Sequence, residues 1–565
     1  MKRSIALALL FILAASSLLA ASRQPVRAPH GMVASTSEIA SRIGADVMKR
    51  GGNSVDAAVA VALALAVTWP SAGNLGGGGF MLIRLPDGTT EAIDYRERAP
   101  LAATRVMYLD ANGNVIKGAS TQGWKAIGVP GTVAGLYLAH KRHGKLPWAS
   151  LVAPARKLAA EGFAANFHLA RSLRSKDTIE KLAPFAESRR IFQRDGRFYE
   201  MGERVVQPDL AKTLQRIEEH GADGFYRGET ARLLVAAMKA NGGIVTAKDL
   251  ETYEPTIRTP LRGTYRGYEI VTMPPPSSGG IALLEMLNML EPYDLKAMGW
   301  HSSLQVHTIA EVMRRAFADR AEFLGDTDFV KVPVTGLISR AYADERRKTI
   351  DDAHASTSRE VGAGKPSGYE SPQTTHFTIV DGAGGVVSST YTLNDGYGSG
   401  VTAKGTGFLL NNEMDDFTSK PGVPNDYQLI QGEANAIQPK KRPLSSMTPT
   451  IVLKDGNVAF AIGSPGGPTI INTVLQVILN VVDYGMDIQA AIDAPRFHHQ
   501  WLPDELYWEE LEFNRDTREA LERRGHHFRE KATSLGDAEG IAVDAATGMR
   551  MGASDPRLGG VPVGY

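Results

Sequence analysis

Alternation of apolar and polar positions marks out the first elements. A helical pattern over Ser37–Arg50 closes at Gly51-Gly52-Asn53. A second pattern, Val55 to Val67, is apolar nearly all round. It falls short of the roughly 20 residues a bilayer span needs, so it predicts a buried core helix. After the glycine-rich stretch 73–79, a hairpin is expected from Phe80–Leu85, the turn Pro86-Asp87-Gly88 and Thr90–Tyr95. Residues 130 to 330 read mainly as helices, broken at Gly242-Gly243 and Pro274-Pro275-Pro276. From Ala353 to Ser371 the chain is polar and rich in Gly and Ser, which predicts an exposed linker.

Strand patterns return at Thr374. Thr374–Val380 and Val386–Leu393 flank the turn 381–385, and Thr450–Leu453 pairs with Val458–Ile462 across Asp455-Gly456. A helix over Thr469–Asp483 ends at Gly485, a C′ glycine. Strands followed by covering helices predict a layered α+β fold. If Val380 faces Val386, the register sets Thr374 opposite Thr392, with Cβ atoms roughly 5 Å apart. Asn394 then follows just past the strand end.

At 565 residues the chain holds two to four core-sized units. Lys plus Arg and Asp plus Glu number 62 each, so no net field draws nucleic acid or anionic membrane. With no cysteine, disulfides, thiolate metal sites and a catalytic thiol are excluded. Residues 1–21 have Lys2 and Arg3, an apolar run and small residues up to Ala21, the order of a secretory signal peptide. The expected location is periplasmic or secreted.

Several short segments carry chemistry. Gly463-Ser464-Pro465-Gly466-Gly467-Pro468 joins a strand to a helix, and free N–H groups at Gly466 and Gly467 suit an oxyanion hole. The same residues also suit an ordinary tight turn. Asn411–Phe417 is acidic and fits an ammonium group, a metal or plain solvent. Ser445 and Ser446 offer paired hydroxyls, and Arg96 can fork onto a carboxylate or pair with Asp94 or Glu97. Adjacent His498 and His499 raise a metallohydrolase reading, but they lack the i, i+4 spacing of a helical metal site.

Taken in order, these segments resemble the γ-glutamyltransferases of the N-terminal nucleophile hydrolases. The resemblance rests on Gln373–Phe377, Thr390–Asn394, Asn411–Phe417, Lys441–Met447 and Gly463–Gly467, with Pro70–Phe80, Asp94–Glu97, Ala494–Gln500 and Ala553–Arg557. It implies a four-layer αββα sandwich built by two chains after self-cleavage at Gln373–Thr374. The large chain would be 22–373, mostly helical with the exposed linker 353–373, and the small chain 374–565. Thr374 would be the nucleophile and its freed α-amine the base, with Thr392 bonded to the nucleophile and Gly466 and Gly467 holding the oxyanion. Arg96, Ser445 and Ser446 would hold the glutamyl α-carboxylate, and Asn394, Glu413 and Asp416 its α-ammonium, at opposite ends of one pocket. Loop 421–442 would be a lid gated by Tyr427. Glutathione is the implied donor, amino acids or dipeptides the acceptors, and no cofactor or metal is implied. A cephalosporin or glutaryl acylase of the same superfamily is the alternative within the class; a γ-glutamyl-peptide binding protein is the alternative outside it.

Overall fold

The computed structural model describes residues 22–367 and 377–565. The expected signal segment 1–21, Gln373 and Thr374 therefore lie outside the described residues.

Two seven-stranded antiparallel sheets form the centre. In chain order their strands are β1 (Val26–Ala28), β2 (Met32–Ala34), β3 (Gly78–Arg84), β4 (Thr90–Tyr95), β5 (Thr256–Arg258), β6 (Leu261–Tyr265) and β7 (Tyr268–Thr272). There follow β8 (Thr378–Val380), β9 (Val386–Thr392), β10 (Thr450–Lys454), β11 (Asn457–Gly463), β12 (Glu539–Val543), β13 (Arg550–Ser554) and β14 (Val563–Gly564). One sheet runs β1-β13-β12-β11-β10-β7-β6, the other β14-β2-β8-β9-β3-β4-β5. Period-two alternation sorts their side chains onto two apolar faces. Phe80 and Leu82 of β3 point between the sheets with Ile451 and Leu453 of β10. Met81 and Ile83 point outward under one helical layer, and Val452 under the other. The four layers are thus helix, sheet, sheet, helix, as the α+β sandwich requires.

The helices explain themselves locally. α1 (Glu38–Lys49) packs on α2 (Ser54–Thr68), whose residues are all buried. Asn53 starts α2 with a capping box, accepting from Val55 and Asp56 N–H while Asp56 accepts from the Asn53 N–H. Over the opposite sheet lie α3 (Gly279–Leu290), α4 (Ser303–Phe323) and α5 (Thr469–Val482). Among the described residues no helix is long and apolar enough to cross a membrane.

Two expectations need correction. Strands β5 to β7 interrupt the region expected to be mainly helical. They are three to five residues long, too short for alternation to register, and β5 and β6 close the edges of the two sheets. The described part of the linker is exposed at most positions but tied down at Ser358 and Val361, both buried. The Trp501 indole N–H donates to both carbonyls, at 2.9 and 2.6 Å. Its polar composition reflects hydrogen bonds to the body as well as solvent.

The hairpin register is the one the sequence predicts. Thr378 faces Ser388, Ile379 faces Val387 and Val380 faces Val386. β8 lies between β2 and β9, and β9 pairs with β3 over seven residues. A cut between 373 and 374 would leave five ladders crossing from chain to chain: β1–β13, β2–β8, β2–β14, β3–β9 and β7–β10.

Candidate active site

A cavity of about 790 Å³ opens at the β9 end of the sandwich. Arg96, Thr392, Asn394, Glu413, Asp416, Tyr427, Ser445, Ser446, Gly466 and Gly467 all line it. These are all the predicted site residues that fall among the described ones. They come from widely separated parts of the chain, which is why composition alone left each ambiguous.

Arg96 leaves the end of β4 and is fully buried. Its Nε donates to the Pro443 carbonyl at 3.3 Å and Nη2 to the Leu444 carbonyl at 3.3 Å. Nη1 pairs with Glu413, and Nη2 with Asp416 Oδ2 at 2.5 Å. A short 3₁₀ turn, Glu413–Asp416, makes this possible, because side chains three residues apart eclipse in that geometry. Asn411 holds the turn from below: its Oδ1 accepts from Glu413 N–H and Gly128 N–H. The expectation of opposite charges at opposite ends of the pocket is corrected here. Cation and carboxylates touch, because isolated charges at this depth would cost several kcal/mol each.

The acids titrate unusually. Burial pushes Glu413 well above the usual carboxylate range although Arg96 pulls it down, and Glu97 and Asp416 beside it raise it further. Glu97 is pushed up to about 7, again by burial first, with Arg96 opposing. Asp416 is raised by burial, with Arg96 and Arg320 opposing. Arg96 also moves up: burial disfavours its charge, but Glu413 and Asp416 outweigh that and hold it above its ordinary value.

Asn394 follows β9 in the left-handed region, φ 75°, a conformation asparagine tolerates. Its N–H donates to Thr392 Oγ1 at 2.9 Å, which fixes the Thr392 hydroxyl at the strand terminus. The Asn394 carbonyl accepts from the Tyr427 hydroxyl at 3.0 Å. Tyr427 belongs to the expected lid, which is anchored nearby where Asp426 N–H donates to Asp415 at 3.0 Å. A Cβ on Gly467 would lie 2.6 Å from the Tyr427 ring, so only glycine lets the lid residue sit there. Gly466 and Gly467 have φ of 132° and 57°, and neither N–H has an acceptor among the described residues. Thr469 and Ile470 begin α5 by donating to their two carbonyls.

Ser445 and Ser446 sit on a segment clamped by the start of α3. Ser277 and Ser278 hydroxyls donate to the Ser445 carbonyl, at 3.3 and 2.6 Å. Sequence reasoning missed Arg320, whose Nη2 donates to Ser446 Oγ at 3.2 Å, and the part Glu97 takes beside Glu413. Neither left a usable signal. Arg320 lies in the charge-rich helix α4, which by pattern reads as solvated yet is buried at almost every position.

His498 and His499 are engaged elsewhere. His498 bonds to Asn472 and Gln500 at 2.7 and 2.9 Å, and His499 sits 3.3 Å from Asp504. Among the described residues no cluster of three His, Cys, Asp or Glu is placed to hold a metal.

Comparison with known proteins is consistent with this geometry. The family model described as gamma-glutamyltranspeptidase matches residues 40–565. A protein of Pseudomonas sp. (strain A14) named glutathione hydrolase proenzyme is 50% identical, over 96% of this chain and 92% of its own. A cephalosporin acylase from Bacillus halodurans superimposes with a TM-score of 0.86 at 29% identity, covering 97% of this chain and 98% of its own. A crystal structure of Helicobacter pylori gamma-glutamyltranspeptidase is 44% identical with a TM-score of 0.57, covering 61% of this chain and 97% of its own.

Proposed function

The chain belongs to the γ-glutamyltranspeptidase family, and from that premise we propose that the Arg96 cavity grips the free amino-acid end of a γ-glutamyl amide. The protein hydrolyses and transfers γ-glutamyl groups and is made as a proenzyme that processes itself. Its substrates are small molecules. Glutathione is the proposed donor, water, amino acids or dipeptides the proposed acceptors, and the periplasm or exterior the proposed location.

The observation that carries this reading is the convergence of a guanidinium, two carboxylates, an asparagine and two serines on one cavity. A γ-glutamyl group presents both a free α-carboxylate and a free α-ammonium, whereas an α-linked glutamyl has lost its carboxylate. Ser445, Ser446 and Arg96 suit the carboxylate; Asn394, Glu413 and Asp416 suit the ammonium. Thr374 is assigned as nucleophile from the sequence. Its hydroxyl attacks the γ-carbonyl while its own α-amine, with an ordinary pKa of about 8, takes the proton. The Gly466 and Gly467 N–H groups receive the oxyanion. The amine product leaves with the proton, and water or an acceptor amine then opens the Thr374 ester.

The same hydroxyl attacks the Gln373 carbonyl to make the precursor cut, by an N-to-O acyl shift and hydrolysis. The five ladders that cross the cut would hold chains 22–373 and 374–565 together afterwards. Tyr427, bonded to the Asn394 carbonyl, closes the cavity on the lid side.

An acylase acting on a glutaryl group is the second reading, favoured by the structural likeness to the cephalosporin acylase. A glutaryl group carries no α-ammonium, so the carboxylates Glu413 and Asp416 would then face nothing positive on the substrate. Intact mass and N-terminal sequencing of the wild type and Thr374→Ala test the nucleophile. Two chains, the smaller beginning at Thr374, with an uncut variant, support it; a wild type that stays whole refutes it. Faster turnover of γ-glutamyl than of glutaryl p-nitroanilide separates the two readings.

A further inference from the structure

Among the described residues, six arginines are buried to within 2% of completeness: Arg96, Arg314, Arg315, Arg320, Arg442 and Arg496. Five of them have a carboxylate oxygen within 3.2 Å, from Glu413, Glu311, Glu311 again, Asp94 and Asp555 respectively. Arg320 alone has no ion pair among the described residues. Its Nε donates to Ser278 Oγ at 2.8 Å and its Nη2 to Ser446 Oγ at 3.2 Å, while Nη1 meets no acceptor among the described residues. Burial pushes this guanidinium down to about 10, opposed only by the more distant pull of Asp416, so it is still a cation at neutral pH. Asp416 is committed to Arg96. An uncompensated buried charge costs several kcal/mol, and a fold keeps one where an anion offsets it during function.

The hydroxyl geometry says where that anion sits. Ser278 accepts from Arg320 and passes its own hydrogen to the Ser445 carbonyl at 2.6 Å. Ser446 Oγ also accepts from Arg320, so its hydrogen points away from the guanidinium, and Ser446 lines the cavity. Arg96, by contrast, already spends its two terminal nitrogens on Glu413 and Asp416.

We propose that Arg320 is the positioning cation of the α-carboxylate subsite, acting through Ser446, whose hydroxyl it turns toward the substrate carboxylate. It does not touch substrate itself. This rests on the proposed γ-glutamyl reading of the cavity. It gives the carboxylate subsite two cations: Arg96, which also pairs with Glu413 and Asp416, and Arg320, which supplies positive charge behind the serines.

The test is a kinetic cycle on γ-glutamyl p-nitroanilide with wild type, Arg320→Gln, Arg320→Lys, Ser446→Ala and the Arg320→Lys/Ser446→Ala pair. Self-cleavage and thermal midpoint are recorded for each. Arg320→Gln is expected to raise KM roughly 10- to 100-fold, the range of a lost charged hydrogen bond, with kcat changed far less. Arg320→Lys should recover part of the loss, since it keeps the charge but cannot span both serines. The double variant should bind no worse than the poorer single one, because the two residues form one relay. If Arg320→Gln does not fold, Arg320→Lys and Ser446→Ala carry the cycle. Additive losses, or a fall in kcat with KM unchanged, overturn the relay. A wild type that cannot turn over the anilide would instead sink the γ-glutamyl reading and this inference with it.

Discussion

Two buried charge clusters in this protein are built from the same residue types and behave oppositely. One surrounds Glu311 on α4. Its carboxylate pairs with Arg314 at 3.2 Å and Arg315 at 2.6 Å and accepts from Ser356 N–H and hydroxyl at 3.1 and 2.6 Å. Arg314 and Ser358 in turn bond to each other at 2.7 Å and both to Asp504. None of these side-chain polar atoms is orphaned. The other is the Arg96 cluster, where Arg320 Nη1 lacks a hydrogen bond among the described residues and Glu97 and Glu413 meet carboxyl to carboxyl. The first cluster is closed and ties segment 351–361 to the body. The second is left incomplete beside the cavity, which Arg96, Glu413 and Asp416 line. Satisfaction of hydrogen-bonding capacity, more than burial or charge, separates a structural ion network from a binding one.

The largest break should come from the closed cluster. Glu311→Ala strands two buried guanidinium groups and is expected to cost about 3–5 kcal/mol of stability, read by urea unfolding. An unchanged midpoint would mean the cluster is not closed. Next, Asp416→Asn should act on function instead. The expected loss in kcat/KM for γ-glutamyl p-nitroanilide is roughly 30- to 150-fold, about 2–3 kcal/mol, with a smaller effect on unfolding. An equal loss of stability would erase the contrast between the clusters.

Acid and base sharpen the comparison because the two clusters titrate in opposite senses. Burial raises Glu311, but Arg314 and Arg315 outweigh it and the net shift is down. Its contribution is therefore present above the ordinary glutamate range and lost as pH falls through the lowered value. Glu97, raised to about 7 by burial, behaves the other way. Between the unfolded value of about 4.3 and 7, the unfolded chain releases a proton that the fold retains, so stability falls as pH rises. Glu97→Gln should flatten the decline in thermal midpoint between pH 5 and 8 and leave the acid limb intact. A decline that persists would assign it elsewhere. The smallest effect is expected at the rim: Tyr427→Phe loses one neutral hydrogen bond to Asn394, worth about 1 kcal/mol or several-fold in KM.

Much of this molecule was legible along the chain. The all-buried α2, the three β-hairpins and the layered α+β class follow from local periodicity and turn chemistry, which depend on residues a few positions apart. The hairpin register held because a five-residue turn and alternating faces leave one pairing that buries both apolar sides. The residues around the cavity were each visible as short motifs, and their order along the chain pointed to one family. What the sequence could not decide was adjacency. Strands of three to five residues carry too little pattern to be seen, so β5 to β7 emerge only where the sheets need edges. The placement of Arg96 against Glu413 and Asp416 depends on a 3₁₀ turn 317 residues further on. The charges of α4 look like a solvated face until tertiary packing buries them, and only then does Arg320 become the one buried arginine with no carboxylate beside it among the described residues. Periodicity is local and survives in one dimension. Electrostatic compensation is a property of neighbours in space, and folding alone chooses them.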